Sequence, residues 1–149
     1  MKHVEIDTIL SSALEALYKE QLTIIRLDVA ERTITTLLST ILQRYFQDHS
    51  VHAEYNRHGI LPKEVEMPDA DGLPTMTRVY PDIIVHQPIH DEANLLIIEA
   101  KKSTNQVSDA ADLLKLNQMK HQLGYRFAAF VRLATGSEAE LESVCVTWV

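Results

Sequence analysis

Apolar and polar residues alternate along this chain with two different periods, and the change of period marks the predicted elements. Near the N-terminus the spacing is that of a helix, which predicts helices from Thr8 to about Tyr18 and from near Asp28 to Phe46. The second helix carries an apolar stripe made of Ile34, Leu37, Leu38, Ile41, Leu42 and Tyr45. Such a stripe indicates a helix that packs against a core.

A period of two residues, which is typical of strands, follows the helices. One strand is predicted from Val51 to Arg57, and a long polar connection rich in Pro, Gly and Asp runs from His58 to about Thr77. Two strong strands come next, about Arg78 to Gln87 and Asn94 to Lys102. Because only a short polar segment separates them, they predict a β-hairpin.

The last part of the chain predicts one more helix and two more strands. The helix runs from Ser108, a favourable N-terminal cap, to about Leu123, and Gly124 ends it. The strands run from Phe127 to Leu133 and from about Ser143 to Val149. This order of elements predicts the α/β class, with a central mixed β-sheet flanked by helices.

The composition is typical of a globular protein. The chain has 149 residues, of which 46% are hydrophobic and 23% charged, so we expect a single domain over 1–149, with residues 1–27 as an N-terminal helical extension. No apolar run approaches the ~20 residues that span a bilayer, and the N-terminus lacks the apolar core of a signal peptide. We therefore expect a cytoplasmic protein with no membrane association. The single cysteine excludes a cysteine-based zinc cluster.

The charge balance limits how the protein can bind nucleic acid. The net charge is −7, whereas tight, sequence-independent binding to phosphates requires a basic surface. A nuclease is still compatible with this charge, because an acidic site binds divalent cations that place positive charge beside a phosphate. Affinity for nucleic acid is therefore expected to come from the cation, from a homodimer or from a partner subunit.

Three charged residues fall on the predicted hairpin where its apolar faces end. Because strand side chains alternate between faces, Glu99 and Lys101 share one face of the second strand. If the hairpin is symmetric about the bond between His90 and Asp91, opposing residue numbers add up to 181, and Asp82 faces Glu99. Two carboxylates directly opposite each other destabilise a sheet. The pair therefore predicts a bound divalent cation.

The same residues suit metal-assisted hydrolysis of a phosphodiester. Mg²⁺ and Mn²⁺ prefer oxygen ligands, which Asp82, Glu99 and the backbone carbonyl of Ala100 supply. Lys101 is the predicted catalytic lysine, which would orient the attacking water or stabilise the developing negative charge. No covalent intermediate on the protein is required.

The spacing of these residues resembles a known signature. Pro81-Asp82, followed by Glu99-Ala100-Lys101 on the next strand, is similar to the PD-(D/E)xK motif of the restriction-endonuclease-like nuclease superfamily. The resemblance implies a restriction-endonuclease-like sandwich and an Mg²⁺- or Mn²⁺-dependent endonuclease, a hydrolase acting on phosphodiester bonds with DNA as the expected substrate. Many members of the superfamily carry a further acidic residue on the helix before the sheet, a position that Glu31 matches as an additional metal ligand.

Structural alternatives accompany each candidate residue. Asp82, Glu99 and Lys101 also fit an exposed hairpin end with a weak salt bridge. Asp28 and Glu31 have the spacing of a helix-capping box, which would explain Glu31 without a metal. Arg57 is a candidate phosphate contact or a solvated charge on an edge strand.

The helix that follows the hairpin contributes further candidates. Gln118 is a candidate substrate contact. Asp112 and Lys115 either approach the site or belong to an ordinary solvated face.

Two other classes of function compete with the nuclease. One is a non-catalytic interaction module that keeps the nuclease fold, for example as a subunit of a larger defence or repair assembly. The other is an oligomeric scaffold whose interface lies on the helices between Thr8 and Phe46.

Overall fold

The computed structural model describes residues 1–55, 57–59 and 61–149. Residue 56 of the strand predicted from Val51 to Arg57, and residue 60 of the predicted loop, lie outside the described residues.

The N-terminal apolar spacing forms two helices. Helix α1 spans His3–Arg26, with non-helical backbone angles at Gln21, and helix α2 spans Glu31–Leu42 before a 3₁₀ turn at Gln43–Tyr45. Both helices were predicted, but α1 is longer than its predicted span at both ends.

The strands form one large sheet and two small hairpins. The large sheet consists of β1 (Ser50–Ala53), β6 (Ile83–His86), β7 (Leu96–Lys102), β8 (Phe127–Leu133) and β9 (Cys145–Trp148), in that spatial order. The small hairpins pair β2 (Arg57–His58) with β3 (Leu61–Pro62), and β4 (Glu64–Pro68) with β5 (Pro74–Arg78). Helix α3 (Ala110–Leu123) connects β7 to β8.

The central sheet is mixed, as predicted. Strands β7 and β8 run parallel, and the other neighbours in the sheet are antiparallel. Among the described residues, this five-stranded sheet and three α-helices make an α/β architecture.

The predicted hairpin register is confirmed. Ile83 pairs with Ile98, Ile84 with Ile97, and Val85 with Leu96, so opposing residue numbers add up to 181. The next pair in this register places Asp82 opposite Glu99. Both residues therefore lie at one end of the β6–β7 pair.

Each face of the sheet packs against its own helices. Helices α1 and α2 cover one face, where Ile83, Val85 and Ile98 join the larger of two apolar clusters. Helix α3 and Val65 of β4 cover the other face, which contains Ile84 and Ile97. Residues two apart on a strand share a face, so Asp82 lies on the face of Ile84, and Glu99 on the face of Ile97. Both carboxylates are therefore on the α3 side of the sheet.

Several predictions about local structure are wrong. The strand predicted from Val51 to Arg57 ends at Ala53, and the strand predicted from about Arg78 begins only at Ile83. The segment from His58 to Thr77 is not a plain polar loop, because its described residues include β3, β4 and most of β5. Helix α2 does not begin at Asp28: its N-cap is Ala30, and Asp28 has a positive φ of 54°.

The apolar faces of the two N-terminal helices are used inside the chain. Helix α1 buries residues along its length against the core, namely Ile6, Leu10, Ala13, Leu14, Leu17, Tyr18 and Ile25. These side chains are therefore unavailable as the interface of a scaffold built on apolar helix faces. Within the described part of the chain, no helix is long and apolar enough to cross a membrane.

Candidate active site

The backbone geometry at the end of the hairpin brings Asp82 and Glu99 together. Asp82 directly precedes β6, and Glu99 lies within β7. The Asp82 carboxylate accepts a hydrogen bond from the backbone N–H of Ala100 at 2.8 Å. This bond fixes the Asp82 side chain against β7, beside Glu99.

Burial disfavours the ionised form of both carboxyl groups. Glu99 is only 4% exposed, and burial, followed by the charge of Asp82, raises its pKa. Burial also raises the pKa of Asp82, which the Ala100 N–H opposes and the charge of Glu31 reinforces. Two acids that disfavour ionisation in each other's presence create a site that attracts a cation.

The oxygens of Glu99 differ in their surroundings. Oε2 lies 3.2 Å from the Nζ atom of Lys115 on α3. Oε1 is buried and has no hydrogen-bond partner among the described residues. A buried carboxylate oxygen without a partner is costly unless a proton or a cation satisfies it.

Glu31 reaches the same end of the sheet. It is the first residue of α2, and its Oε2 accepts a hydrogen bond from the backbone N–H of Lys102 at 3.1 Å. The capping-box alternative is wrong, because α2 has no side-chain cap and the Asp28 carboxylate contacts the Nζ atom of Lys102 at 3.1 Å instead.

Lys101 lies on the α3 side of the sheet but is held by the segment that leads into α3. Its Nζ donates to the carbonyl oxygens of Val107 and Ser108, both at 3.1 Å, and forms an ion pair with Asp112 at 2.5 Å. The side chain is 7% exposed. The contacts described for this ammonium therefore anchor α3 to β7.

Lys115 is the lysine whose ammonium contacts Glu99. It lies one helical turn after Asp112 on α3, and its side chain is 32% exposed. The sequence contained one signal for it, a lysine three residues after an acid on the helix that follows the motif. That signal alone did not distinguish a site residue from a solvated face.

The other candidate residues lie in different places. Arg57 is in β2, opposite Pro62, and is exposed. Gln118 accepts a hydrogen bond from Gln122 at 2.7 Å and lines a cleft beside the β4–β5 hairpin. Glu54, at the end of β1, donates its backbone N–H to the Asp82 carbonyl, and its charge contributes to the raised pKa of Asp82.

The donor set fits a hard divalent cation. Asp82 and the unpartnered Oε1 of Glu99 are oxygen donors, and Mg²⁺ retains several water ligands when few carboxylates bind it. Among the described residues, no group of three or more His, Cys, Asp or Glu side chains is arranged to hold a metal. The residues therefore form an open pair of carboxylates and not a closed cage.

Comparison of the chain with protein-family models, with curated proteins and with solved structures gives no match. The functional argument consequently rests on the chemistry of this site.

Proposed function

We propose that this protein is a metal-dependent nuclease that hydrolyses phosphodiester bonds, with DNA as its substrate. The observation that carries the proposal is the pair formed by the partly buried Asp82 and the buried Glu99, in which one oxygen of Glu99 has no partner. Such a pair is unfavourable for stability alone, and a bound cation would compensate its charge.

In this proposal, residues at one end of the sheet have different roles. Asp82 and Glu99 would hold Mg²⁺ or Mn²⁺, with the backbone carbonyl of Ala100 as a further ligand, whereas the Glu31 carboxylate at the same end accepts the backbone N–H of Lys102. A cation bound there would supply Lewis-acid stabilisation of the substrate phosphate. The ammonium groups of Lys101 and Lys115 lie at the same end, where positive charge stabilises a phosphate in the transition state.

The metal site is tested by titrating Mn²⁺ into the wild type and the Asp82→Ala and Glu99→Ala variants by calorimetry. We expect binding in the wild type and its loss in both variants, because each removes a ligand. The exposed Glu138 serves as a matched control, and Glu138→Ala should bind as the wild type does. Equal binding in all variants would contradict the proposed site.

The activity is tested with single-stranded DNA, duplex DNA and RNA, each with Mg²⁺ and with Mn²⁺. We expect metal-dependent cleavage of DNA that disappears with EDTA and in Glu99→Ala. A wild type that binds Mn²⁺ but cleaves none of these substrates would contradict the nuclease proposal.

One observation favours a second candidate, a non-catalytic module that keeps the nuclease fold, for example in a larger defence or repair assembly. Lys115 pairs with Glu99 and Lys101 pairs with Asp112, so internal cations partly neutralise the acidic end of the sheet. Absence of Mn²⁺ binding in the wild type would support this candidate.

A further inference from the structure

Two lysines lie at the acidic end of the sheet, and their surroundings differ. The ammonium of Lys101 contacts two backbone carbonyls and the carboxylates of Asp109 and Asp112, at distances of 2.5 to 3.6 Å. Releasing it would cost four contacts at once, two with backbone carbonyls and two with carboxylates. Lys101 therefore acts as a fixed anchor.

The surroundings of Lys115 permit movement. Its described ion pair is with Glu99 Oε2 at 3.2 Å, and the side chain is partly exposed. A lysine has a flexible four-carbon stem, so its ammonium can leave the carboxylate while the stem stays on the helix. Lys115 can change partners without unfolding α3.

The Lys115 ammonium and a divalent cation compete for the same carboxylate. Glu99 is the central ligand of the proposed metal site, and Lys115 already neutralises one of its oxygens. Like charges a few ångströms apart repel strongly in a poorly solvated site. Binding of a cation at Glu99 therefore favours movement of the ammonium away from the carboxylate.

We propose that Lys115, and not Lys101, supplies the mobile ammonium of this site. In the metal-free protein it is the counter-ion of Glu99, and a divalent cation releases it toward the phosphodiester of the substrate. Lys101 is a positioning residue that holds α3, and thereby Lys115, against β7. The catalytic part of this inference rests on the proposed metal-dependent function.

The test compares Mn²⁺ affinity and DNA cleavage in Lys115→Met, Lys101→Met and Lys120→Met. Lys120 is the matched control, because it is on the same helix and its ammonium contacts the Val149 carbonyl oxygen, away from Glu99. Calorimetry is done at mildly alkaline pH, where protons compete least for the carboxylates. Lys115→Gln repeats the measurement with a polar side chain.

We expect Lys115→Met to bind Mn²⁺ about tenfold more tightly than the wild type, because the competing charge is gone. Its rate of DNA cleavage should fall about 100-fold, because the ammonium is missing at the phosphate. Lys115→Arg, which keeps the positive charge, should cleave DNA faster than Lys115→Met and more slowly than the wild type. Lys120→Met should keep the wild-type Mn²⁺ affinity and rate.

Two results would overturn the inference. One is a Mn²⁺ affinity in Lys115→Met and Lys115→Gln that is unchanged or weaker. The other is an affinity gain of the same size in Lys101→Met, which would make Lys101 the competing ammonium.

The two proposals fail in distinguishable ways. If the wild type binds no Mn²⁺ but Lys115→Met does, the nuclease proposal fails and the competition at Glu99 stands. If Mn²⁺ binds neither protein, both proposals fail. If Lys115→Met binds Mn²⁺ more tightly and the wild type does not cleave DNA, only the counter-ion role of Lys115 is supported.

Discussion

Glu99 is the residue at which stability and the proposed function conflict most directly. It is buried beside Asp82, and burial, followed by the charge of Asp82, raises its pKa above the ordinary value of 4.5. A carboxyl whose pKa is higher in the folded state stabilises the fold below its unfolded pKa, and this stabilisation is lost as the pH rises through the folded pKa. In the metal-free protein, the stability that the protonated Glu99 contributes is therefore lost progressively as the pH rises from 4.5 to about 8.

Replacement of this carboxylate by an amide should stabilise the metal-free protein. We expect Glu99→Gln to raise the free energy of unfolding by about 2 kcal/mol in mildly alkaline buffer, and by less near pH 5, because the amide resembles the protonated acid. Urea unfolding at both pH values measures this difference. The exposed Glu138→Gln variant is the control, and a Glu99→Gln protein that is less stable than wild type in alkaline buffer would refute the argument.

At the scale of elements, α3 determines the form of the site. Its apolar residues Leu116 and Met119 pack on the sheet, while its first turn is held by the ammonium of Lys101. The same helix carries Lys115 to Glu99. A change at the start of α3 should therefore reach the site through the orientation of the helix.

Loss of the Lys101 anchor should loosen the start of α3. We expect Lys101→Met to lower the free energy of unfolding by about 2 kcal/mol, because it leaves the Asp112 carboxylate and two carbonyls without their partner. Hydrogen exchange should accelerate between residues 107 and 113. Lys115→Met is the comparison, and equal protection of this segment in both variants would show that Lys101 does not anchor the helix.

At the scale of the whole molecule, two polar clusters occupy opposite ends of β6 on the same face. Asp82 lies before the first residue of the strand, and His86 is the last. The Nε2 atom of His86 lies 2.8 Å from Nδ1 of His52, and Tyr55 packs against both rings. The two clusters affect global stability with opposite dependence on pH.

Burial, followed by the charges of His52 and Lys63, lowers the pKa of His86 from 6.5 to about 4. The unfolded chain then binds a proton between these pH values that the folded chain does not, so stability is present above pH 6.5 and is lost as the pH falls through 4. This pH dependence of stability is the reverse of that of Glu99, whose contribution is lost as the pH rises. Acidification should therefore destabilise the protein through the histidine end of β6.

Removal of the titrating imidazole should reduce this loss. Between neutral pH and about pH 4, the free energy of unfolding should fall in both proteins. We expect the fall to be smaller in His86→Gln than in the wild type, by about 3 kcal/mol. Urea unfolding over this range is the measurement, and the exposed His121→Gln is the control. Parallel pH profiles for His86→Gln and wild type would contradict the assignment.

The sequence by itself determined the features that depend on local backbone geometry. Helical spacing was sufficient to locate α2 through Ile34, Leu38 and Ile41, and strand alternation placed Asp82 and Glu99 on one face. The assumption of a symmetric hairpin predicted the register, and the observed pairs between β6 and β7 agree with it. The convergence of the two carboxylates was therefore predictable without a three-dimensional structure.

Capping and exposure were decided by contacts between distant segments. Asp28 was expected to cap α2, but it contacts Lys102 and Thr104, which are distant in sequence and adjacent in the fold. Cys145 lies in an apolar run of the sequence, which favours burial, but β9 is an edge strand and the side chain is exposed. Periodicity in the sequence does not show which strand lies at the edge of the sheet, or which residues the end of a helix contacts.

The identity of the lysine at Glu99 also depends on tertiary structure. The motif spacing favoured Lys101, since it is two residues from Glu99 on the same face of β7. The path of residues 103–109 brings carbonyl and carboxylate oxygens to Lys101 and directs α3 so that Lys115 reaches Glu99. A pattern within one strand contains no information about the docking of the next helix. The sequence determined the acidic pair, and the packing of α3 on the sheet decided which ammonium faces it.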